Sequence, residues 1–153
     1  MTHRPAIRPF AAADTERVVE LWHACGLIRP WNDPRKDIER KLKVQPELFL
    51  VANEAGDPPA DDVVGTAMAG YDGHRGWIYY LAVDPACQGR GYGRALLAAV
   101  ESRLISLGCP KLNFQIRKDN GSVIAFYEAL GFDEDDCFSF GKRLIPDPWP
   151  ASQ

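Results

Sequence analysis

The 153-residue sequence has no apolar run long enough to cross a bilayer, and its first residues, MTHRPAIRPF, lack the apolar stretch of a signal peptide. Its four cysteines (25, 87, 109 and 137) stand at spacings that match neither a metal-binding pair nor a redox pair. With a net charge of -3 and mixed acids and bases, it has no basic stripe of the kind that binds nucleic acid. These absences predict a cytoplasmic protein with reduced thiols that binds neither membranes nor nucleic acids.

The composition that remains is that of an ordinary globular protein, with 46% apolar and 25% charged residues. Because the length is near the commonest size of a single core, we predict one domain over residues 1–153, ending in a Pro-rich tail at 146–153.

Four segments have helical patterning. Asp14 and Asp33 are suitable helix caps, Pro34 is suited to a first helical position, and Ile38 and Leu42 recur on one face of the second segment. The third segment has an apolar stripe that ends before Gly108: Leu96, Leu97, Val100, Leu104 and Leu107. The predicted helices lie in DTERVVELWHAC, NDPRKDIERKLKV, RALLAAVESRLISLG and NGSVIAFYEALGF.

Six segments have strand patterning: AIRPF, LFLVANE, VVGTAMAGYD, GWIYYLAV, KLNFQI and CFSFGKRLI. The turn formers AGDPPADD join the second and third into a hairpin, and GWIYYLAV is apolar on both faces, as in a covered central strand. The order of elements predicts an α/β protein of the mixed α+β kind, with helices on a mixed sheet.

The segment QGRGYG, Gln88 to Gly93, has three glycines just ahead of the third helix. It is not a P-loop, because Arg94 and Ala95 stand where Lys and Ser or Thr are needed. Its GxGxG spacing and the intervening DPACQ also disfavour a dinucleotide fold. A simple crowding-relief turn is the alternative, but three glycines before a helix N-terminus, with Arg90 and Arg94, favour a metal-free pyrophosphate site.

Two blocks resemble the GCN5-related N-acetyltransferase (GNAT) family. LAVDPACQGRGYGRALL is similar to its acetyl-CoA-binding motif, in which Gln88, Gly91 and Gly93 fill the pattern, and NGSVIAFYEALGF is similar to the following motif, with Asn120 and Tyr127. The resemblance implies a mixed, mostly antiparallel sheet that splays between two strands and is flanked by about four helices.

The resemblance also implies the residues that bind acetyl-CoA. The backbone of Leu81, Ala82 and Val83 would pair with the pantetheine arm and polarise the thioester carbonyl. Asn120 would contact the pantetheine or cap its helix. The residues that would hold the pyrophosphate are Gln88, Gly89, Arg90, Gly91, Tyr92, Gly93 and Arg94.

Tyr127 matches the family's general acid, which protonates the sulfur of CoA. The alternative is a half-buried tyrosine whose hydroxyl makes a structural hydrogen bond. The general base is open, because Gln115 occupies the position of the Glu in the branch that acetylates a ribosomal protein, and Gln accepts no proton at neutral pH. The candidates for the base are a chain of water molecules or one of five residues: Asp33, Glu20, Asp37, His23 and His74. Each of these residues is also explained as a surface charge or a helix cap.

In this family the acceptor site is lined by the first two helices and their connection, here CGLIRPWNDP with Arg29, Trp31, Asn32 and Asp33. Trp31 either recognises the acceptor or packs the loop onto the core. The connection and the following DIERK resemble the YpeA-like bacterial acetyltransferases. This resemblance does not indicate which substrate is acetylated.

The resemblance therefore implies an enzyme that moves acetyl from acetyl-CoA to a primary amine, in a small molecule or at a peptide or protein N-terminus, by direct attack in a ternary complex. The partners are acetyl-CoA, an amine and, in a homodimer, a second copy. The alternatives are a non-catalytic acyl-CoA-binding module and an interaction domain with an empty groove.

Overall fold

The computed structural model describes residues 5–56, 58 and 61–148. Part of the predicted AGDPPADD turn, the first four residues and the end of the Pro-rich tail lie outside these ranges. The strands are β1 (Ala6–Pro9), β2 (Phe49–Asn53), β3 (Val63–Tyr71), β4 (Gly76–Val83) and β5 (Leu112–Asn113). The helices are α1 (Thr15–Ala24), α2 (Pro34–Lys41), α3 (Tyr92–Ser106) and α4 (Gly121–Ala129).

The strands form one sheet in the order β1-β2-β3-β4-β5. Neighbours from β1 to β4 pair antiparallel, whereas β5 runs parallel to β4. The predicted β2–β3 hairpin and the mixed, mostly antiparallel sheet are therefore confirmed.

Apolar side chains cover both faces of this sheet. Leu96 and Val100 of α3 and Tyr127 of α4 belong to a cluster on one face, and Val18 and Trp22 of α1 belong to a second cluster on the other. Each buried side chain of this size contributes roughly 1.5–3 kcal/mol to the free energy of unfolding. Helix α3 is thus held to the sheet by four residues of its predicted stripe: Leu96, Leu97, Val100 and Leu104.

The splay predicted between two strands lies between β4 and β5. These strands pair only at Gly76 with Leu112 and at Trp77 with Asn113. In the described ranges, residues 78–83 have no ladder partner on the edge that faces β5. A backbone edge with unpaired groups is available to an added extended chain.

Strand β4 also contains a bulge. Thr66 pairs with Ala82 and Met68 with Tyr79, so that Tyr80 and Leu81 together stand opposite one residue of β3. Tyr80 has a φ of 51°, in the left-handed region that is unusual for a residue other than glycine.

Some predictions about single elements are wrong. Tyr79, on the strand expected to be covered on both faces, is 52% exposed, and Leu42 and Leu107 are also exposed. The strand predicted in KLNFQI is reduced to Leu112–Asn113. Asp14 stands before α1 but does not cap it, because its carboxylate binds Arg8 and the amide of Ala11.

The last predicted strand, CFSFGKRLI, does not form. Residues 137–145 contain no strand, and their large apolar side chains are exposed: Phe138, Phe140, Leu144 and Ile145. Side-chain bonds, rather than a backbone ladder, join this part of the chain to the residues that flank β5: Lys111 binds Asp135, and Gln115 binds Ser139. A segment with alternating apolar residues forms a strand only where the edge of a sheet pairs with its backbone.

Candidate active site

The segment Gln88 to Gly93, called the glycine loop below, follows a short helical turn at Pro85–Cys87. Asp84 caps this turn and accepts a 2.9 Å hydrogen bond from the amide of Ala86. Gly89 and Gly91 then have φ angles of 81° and 87°, and α3 begins immediately afterwards. Both angles require glycine, or a residue that tolerates the left-handed region. These local constraints turn the chain from the end of β4 into α3.

The N-terminus of α3 is open. Gly91 occupies its cap position, and no side chain of the described residues caps it. The first backbone bond of the helix joins the amide of Ala95 to the carbonyl of Gly91, so the preceding amides are available. A Cβ built on Gly89 or Gly91 meets no atom within 4 Å, which leaves space in front of these amides. The geometry is that of an anion site.

The other predicted loop residues differ in what they do. Arg90 and Arg94 are exposed, and Arg90 lies 4.0 Å from Glu54. Gly93 has no left-handed backbone, and a Cβ there would make an ordinary 3.8 Å contact with Val83. Its side of the helix therefore lies close to the end of β4.

Tyr92 is a core residue as well as the first residue of α3. Its side chain is 3% exposed, and its hydroxyl accepts a 2.7 Å hydrogen bond from the amide of Ala55. A cavity of about 180 Å³ adjoins it, lined by Pro5, Glu54, Ala55, Arg90 and Tyr92. Tyr92 stands four residues before Leu96, so the helical stripe carried the signal of its burial.

The predicted thioester-binding backbone runs along the splayed end of β4. Leu81 and Val83 pack against the α3 cluster and Ala82 belongs to the α1 cluster. The carbonyl oxygen of Val83 accepts hydrogen bonds from the thiol of Cys25 at 3.3 Å and from the side-chain amide of Gln88 at 3.2 Å. Gln88 thus joins the glycine loop to the strand.

Tyr127 lies on α4 within the same α3 cluster as Leu81 and Val83. It is 8% exposed, and its ring centroid is 4.2 Å from that of Phe114. Burial raises its pKa to about 12, which keeps the phenol protonated at neutral pH. Its hydroxyl makes no hydrogen bond to another described residue, so the structural alternative for Tyr127 has no partner in this fold.

Asn120 occupies the N-cap position of α4, but its side chain caps nothing. The side-chain cap given as the alternative for Asn120 therefore does not form, and only its backbone carbonyl accepts a helical bond, from the amide of Ile124 at 3.2 Å. The exposed amide remains available to a ligand.

Four of the five candidate bases fall into three environments. Asp33 is 5% exposed and accepts a 2.9 Å hydrogen bond from the amide of Arg35, as a cap of α2. Glu20 is an exposed surface residue paired with Arg17 at 3.2 Å, and it lines a cavity on the outer side of α1 with Glu16, Val19, His23, Ile28 and Arg35. His74 lies in the β3–β4 turn, at the opposite end of β4 from the glycine loop.

Asp37 is the one predicted base that the fold brings to β4. Its Oδ2 atom accepts hydrogen bonds from the hydroxyl of Tyr80 at 2.6 Å and from Asn32 at 2.5 Å, and its Oδ1 atom accepts one from Arg40 at 2.7 Å. Both carboxylate oxygens are therefore engaged. No sequence pattern indicated a role for Tyr80, because it stands inside an apolar run.

The predicted acceptor residues form a tight turn between α1 and α2. The amide of Asn32 donates to the carbonyl of Arg29 at 3.1 Å, and the guanidinium of Arg29 donates to the carbonyl of Gly26 at 2.7 Å. Trp31 is 50% exposed, and the guanidinium carbon of Arg117 lies 5.6 Å from its ring centre. Sequence reasoning missed Arg117, because this contact joins the turn to the chain beyond β5.

The model of the acetyltransferase (GNAT) family matches residues 15–132, which include both helices of the turn, the whole of β4, the glycine loop and α4. The chain belongs to the GNAT family. A curated relative from Yersinia enterocolitica, named an acetyltransferase, is 52% identical over 141 residues, covering 92% of this chain and 96% of the relative. This GNAT chain is thus an acetyltransferase, which favours the enzyme over the binding-module and interaction-domain alternatives.

Solved structures support the same fold for this GNAT acetyltransferase. Ard1 from Thermoplasma volcanium is 26% identical with a TM-score of 0.74, over 84% of this chain and 82% of that one. A chain of the NatC complex, solved with Gag peptide and CoA, is 19% identical with a TM-score of 0.70, over 87% of each chain. Members of the family use acetyl-CoA as co-substrate. Among the described residues, no helix has the length and apolar character needed to span a bilayer.

Proposed function

We propose that this acetyltransferase transfers the acetyl group of acetyl-CoA to a primary amine by direct attack within a ternary complex. The observation that carries the proposal is the continuity of two binding features. The unpaired edge of β4, residues 78–83, leads through Gln88 into the open N-terminus of α3. In CoA an extended pantetheine arm is joined to an anionic pyrophosphate, so the arm fits the edge of β4 and the pyrophosphate fits the N-terminus of α3.

The donor is held by backbone groups and charge. The amides of the pantetheine arm pair with the splayed edge of β4 around Leu81 to Val83, as an added strand does. The pyrophosphate lies against the amides of the first turn of α3, where the helix dipole and the side chains of Arg90 and Arg94 supply positive charge. This arrangement requires no metal ion, and Asn120 contacts the pantetheine from the start of α4.

The chemical step balances with two proton transfers. The lone pair of the neutral amine forms the new C–N bond at the thioester carbonyl, and backbone N–H groups of β4 stabilise the negative charge that develops on its oxygen. The C–S bond breaks, and the departing sulfur takes the proton of the Tyr127 hydroxyl. The raised pKa of Tyr127 keeps that proton available.

The amine loses its extra proton to solvent water, and Tyr127 regains a proton from solvent. The engagement of three of the predicted bases supports this route: Asp33 caps α2, Glu20 is paired at the surface, and Asp37 is bonded through both oxygens. Gln115 donates to Ser139 and accepts no proton. The acceptor enters beside the α1–α2 turn, where exposed Trp31 and Arg117 border the site.

The proposal is tested by a CoA-release screen with amino acids, polyamines, aminoglycosides and peptide N-termini as acceptors. We expect release that depends on both acetyl-CoA and one class of amine, with the acetylated amine identified by mass spectrometry. Tight binding of acetyl-CoA with no transfer to any of these amines would contradict the proposed transfer reaction and favour a non-catalytic acyl-CoA-binding module.

Further parts of the proposal concern the whole chain. We propose that residues 1–153 act as one domain, that the enzyme works in the cytoplasm, and that a homodimer is its assembly. The exposed apolar side chains of residues 138–145 support an interface, and sedimentation of the purified protein would test it.

A further inference from the structure

Tyr80 is held at three separate points. Its ring stacks on Trp22, with centroids 3.7 Å apart and planes 10° from parallel. Its hydroxyl donates a 2.6 Å hydrogen bond to Asp37 and accepts a 3.0 Å bond from Asn32. Its carbonyl oxygen accepts a 2.7 Å bond from the hydroxyl of Thr66, which in turn accepts from the indole of Trp22 at 2.9 Å.

Asp37 is itself fixed by a chain of charges. Arg40 binds its Oδ1 atom at 2.7 Å and also binds Asp147 at 2.6 Å. Asp147 is 6% exposed and lies 107 positions after Arg40 in the sequence. Its bond to Arg40 therefore joins the C-terminal segment to α2. The carboxylate of Asp37 therefore has a defined position from which to hold the Tyr80 hydroxyl.

The point held in this way is the strained point of β4. A left-handed backbone at a non-glycine residue persists only where the surrounding structure determines it strongly. The φ of 51° at Tyr80 coincides with the register shift opposite Thr66 and Met68. The bulge sets the direction of the backbone groups that follow Tyr80, those of Leu81 and Ala82.

We propose that Asp37 and Asn32 clamp the Tyr80 hydroxyl to maintain the β4 bulge, which makes Asp37 a positioning residue for the N–H groups that receive the thioester. The proposal rests on the proposed function of β4. Asp37 touches neither substrate in this account; it acts through Tyr80. The clamp gives α2 a role in the chemistry besides lining the acceptor site.

The test compares Tyr80→Phe, which removes the hydroxyl and keeps the stacked ring, with Tyr71→Phe as a control. The hydroxyl of Tyr71 makes only an exposed 3.3 Å bond to Gly73, at the far end of the β3–β4 hairpin. We expect the kcat of Tyr80→Phe to fall roughly ten- to a hundredfold while the KM for acetyl-CoA changes less than about threefold, since misplaced backbone donors slow the chemical step. Tyr71→Phe retains the wild-type kcat.

A second readout is independent of activity. The coupling between the amide and α protons of residue 80, and the amide shifts of residues 81 and 82, report the backbone of the bulge in solution. We expect them to change in Tyr80→Phe and in Asp37→Ala and to stay constant in Tyr71→Phe. Unchanged backbone signals in both clamp variants would overturn the clamp, whatever their activity. If the wild type transfers acetyl to no amine, the proposed function fails, but these signals still decide the clamp.

Discussion

The side-chain amide of Gln88 donates a 3.2 Å hydrogen bond to the carbonyl oxygen of Val83, the last residue of β4. This bond fixes the start of the glycine loop relative to the splayed strand edge. The bond therefore helps to hold the two parts of the proposed donor site, one for the pantetheine arm and one for the pyrophosphate, at a set separation. A ligand as long as CoA benefits from such a preorganised site because less conformational freedom is lost on binding.

Gln88→Ala should weaken acetyl-CoA binding modestly, by a factor of about 2–10, because one neutral hydrogen bond contributes about 0.5–1.5 kcal/mol. Gln88→Glu should weaken binding further, since the carboxylate donates no bond to Val83 and repels the pyrophosphate. Titration calorimetry with acetyl-CoA measures both. Equal affinity in the wild type and the Glu variant would separate Gln88 from the donor site.

Tyr127→Phe should lower kcat about a hundredfold or more while the affinity for acetyl-CoA stays nearly constant, because a general acid contributes to the transition state rather than to ground-state binding. Steady-state CoA release and calorimetry on the same preparation separate the two effects. An unchanged kcat would remove Tyr127 from the acid role.

Tyr127 should also make stability depend on alkaline pH. Its pKa is raised by burial to about 12 from an ordinary value of 10.0, so its contribution is fully present below pH 10 and is lost as pH rises from about 10 to 12. The contribution amounts to about 2–3 kcal/mol in the free energy of unfolding. Denaturant unfolding across this pH range should show a smaller loss in Tyr127→Phe than in the wild type. Parallel curves would place the Tyr127 hydroxyl in water.

Asp33 offers a matched pair of substitutions, because Asn caps helices about as well as Asp but accepts no proton. Asp33→Asn should keep both the melting temperature and kcat close to wild type, whereas Asp33→Ala should lose about 1 kcal/mol of stability with the cap. Thermal melts and CoA release measure the two properties. A large loss of kcat in the Asn variant, at unchanged stability, would return Asp33 to the role of base.

Local features of this fold could be predicted from the sequence because neighbouring residues determine them. The cap at Asp33, the left-handed glycines 89, 91 and 108, and the apolar stripe of α3 each follow from short-range backbone or packing preferences. The family motifs extended the prediction to the splayed sheet, because they occur on elements of a recognised order.

Features set by long-range contacts could not be predicted. The left-handed backbone of Tyr80 depends on Trp22, Asp37 and Thr66, which are 58, 43 and 14 positions away in sequence. The alternating segment CFSFGKRLI has the composition of a strand, but only side chains of Lys111 and Gln115, the residues on either side of β5, bind near it, and β5 forms no ladder with it. The hydrophobic periodicity of a segment indicates which secondary structure it can form. Whether it pairs as a strand depends on the sheet edge that lies beside it in the fold.

The central claim, that the glycine loop holds the pyrophosphate of acetyl-CoA, is tested most directly at Gly91. Asn and Asp are similar in shape, both tolerate the left-handed backbone, and space is open at this position, so Gly91→Asn and Gly91→Asp differ chiefly in charge. Calorimetric titration with acetyl-CoA should show binding retained in the Asn variant and lost in the Asp variant, with both folded. Equal affinities in the two variants would contradict the account.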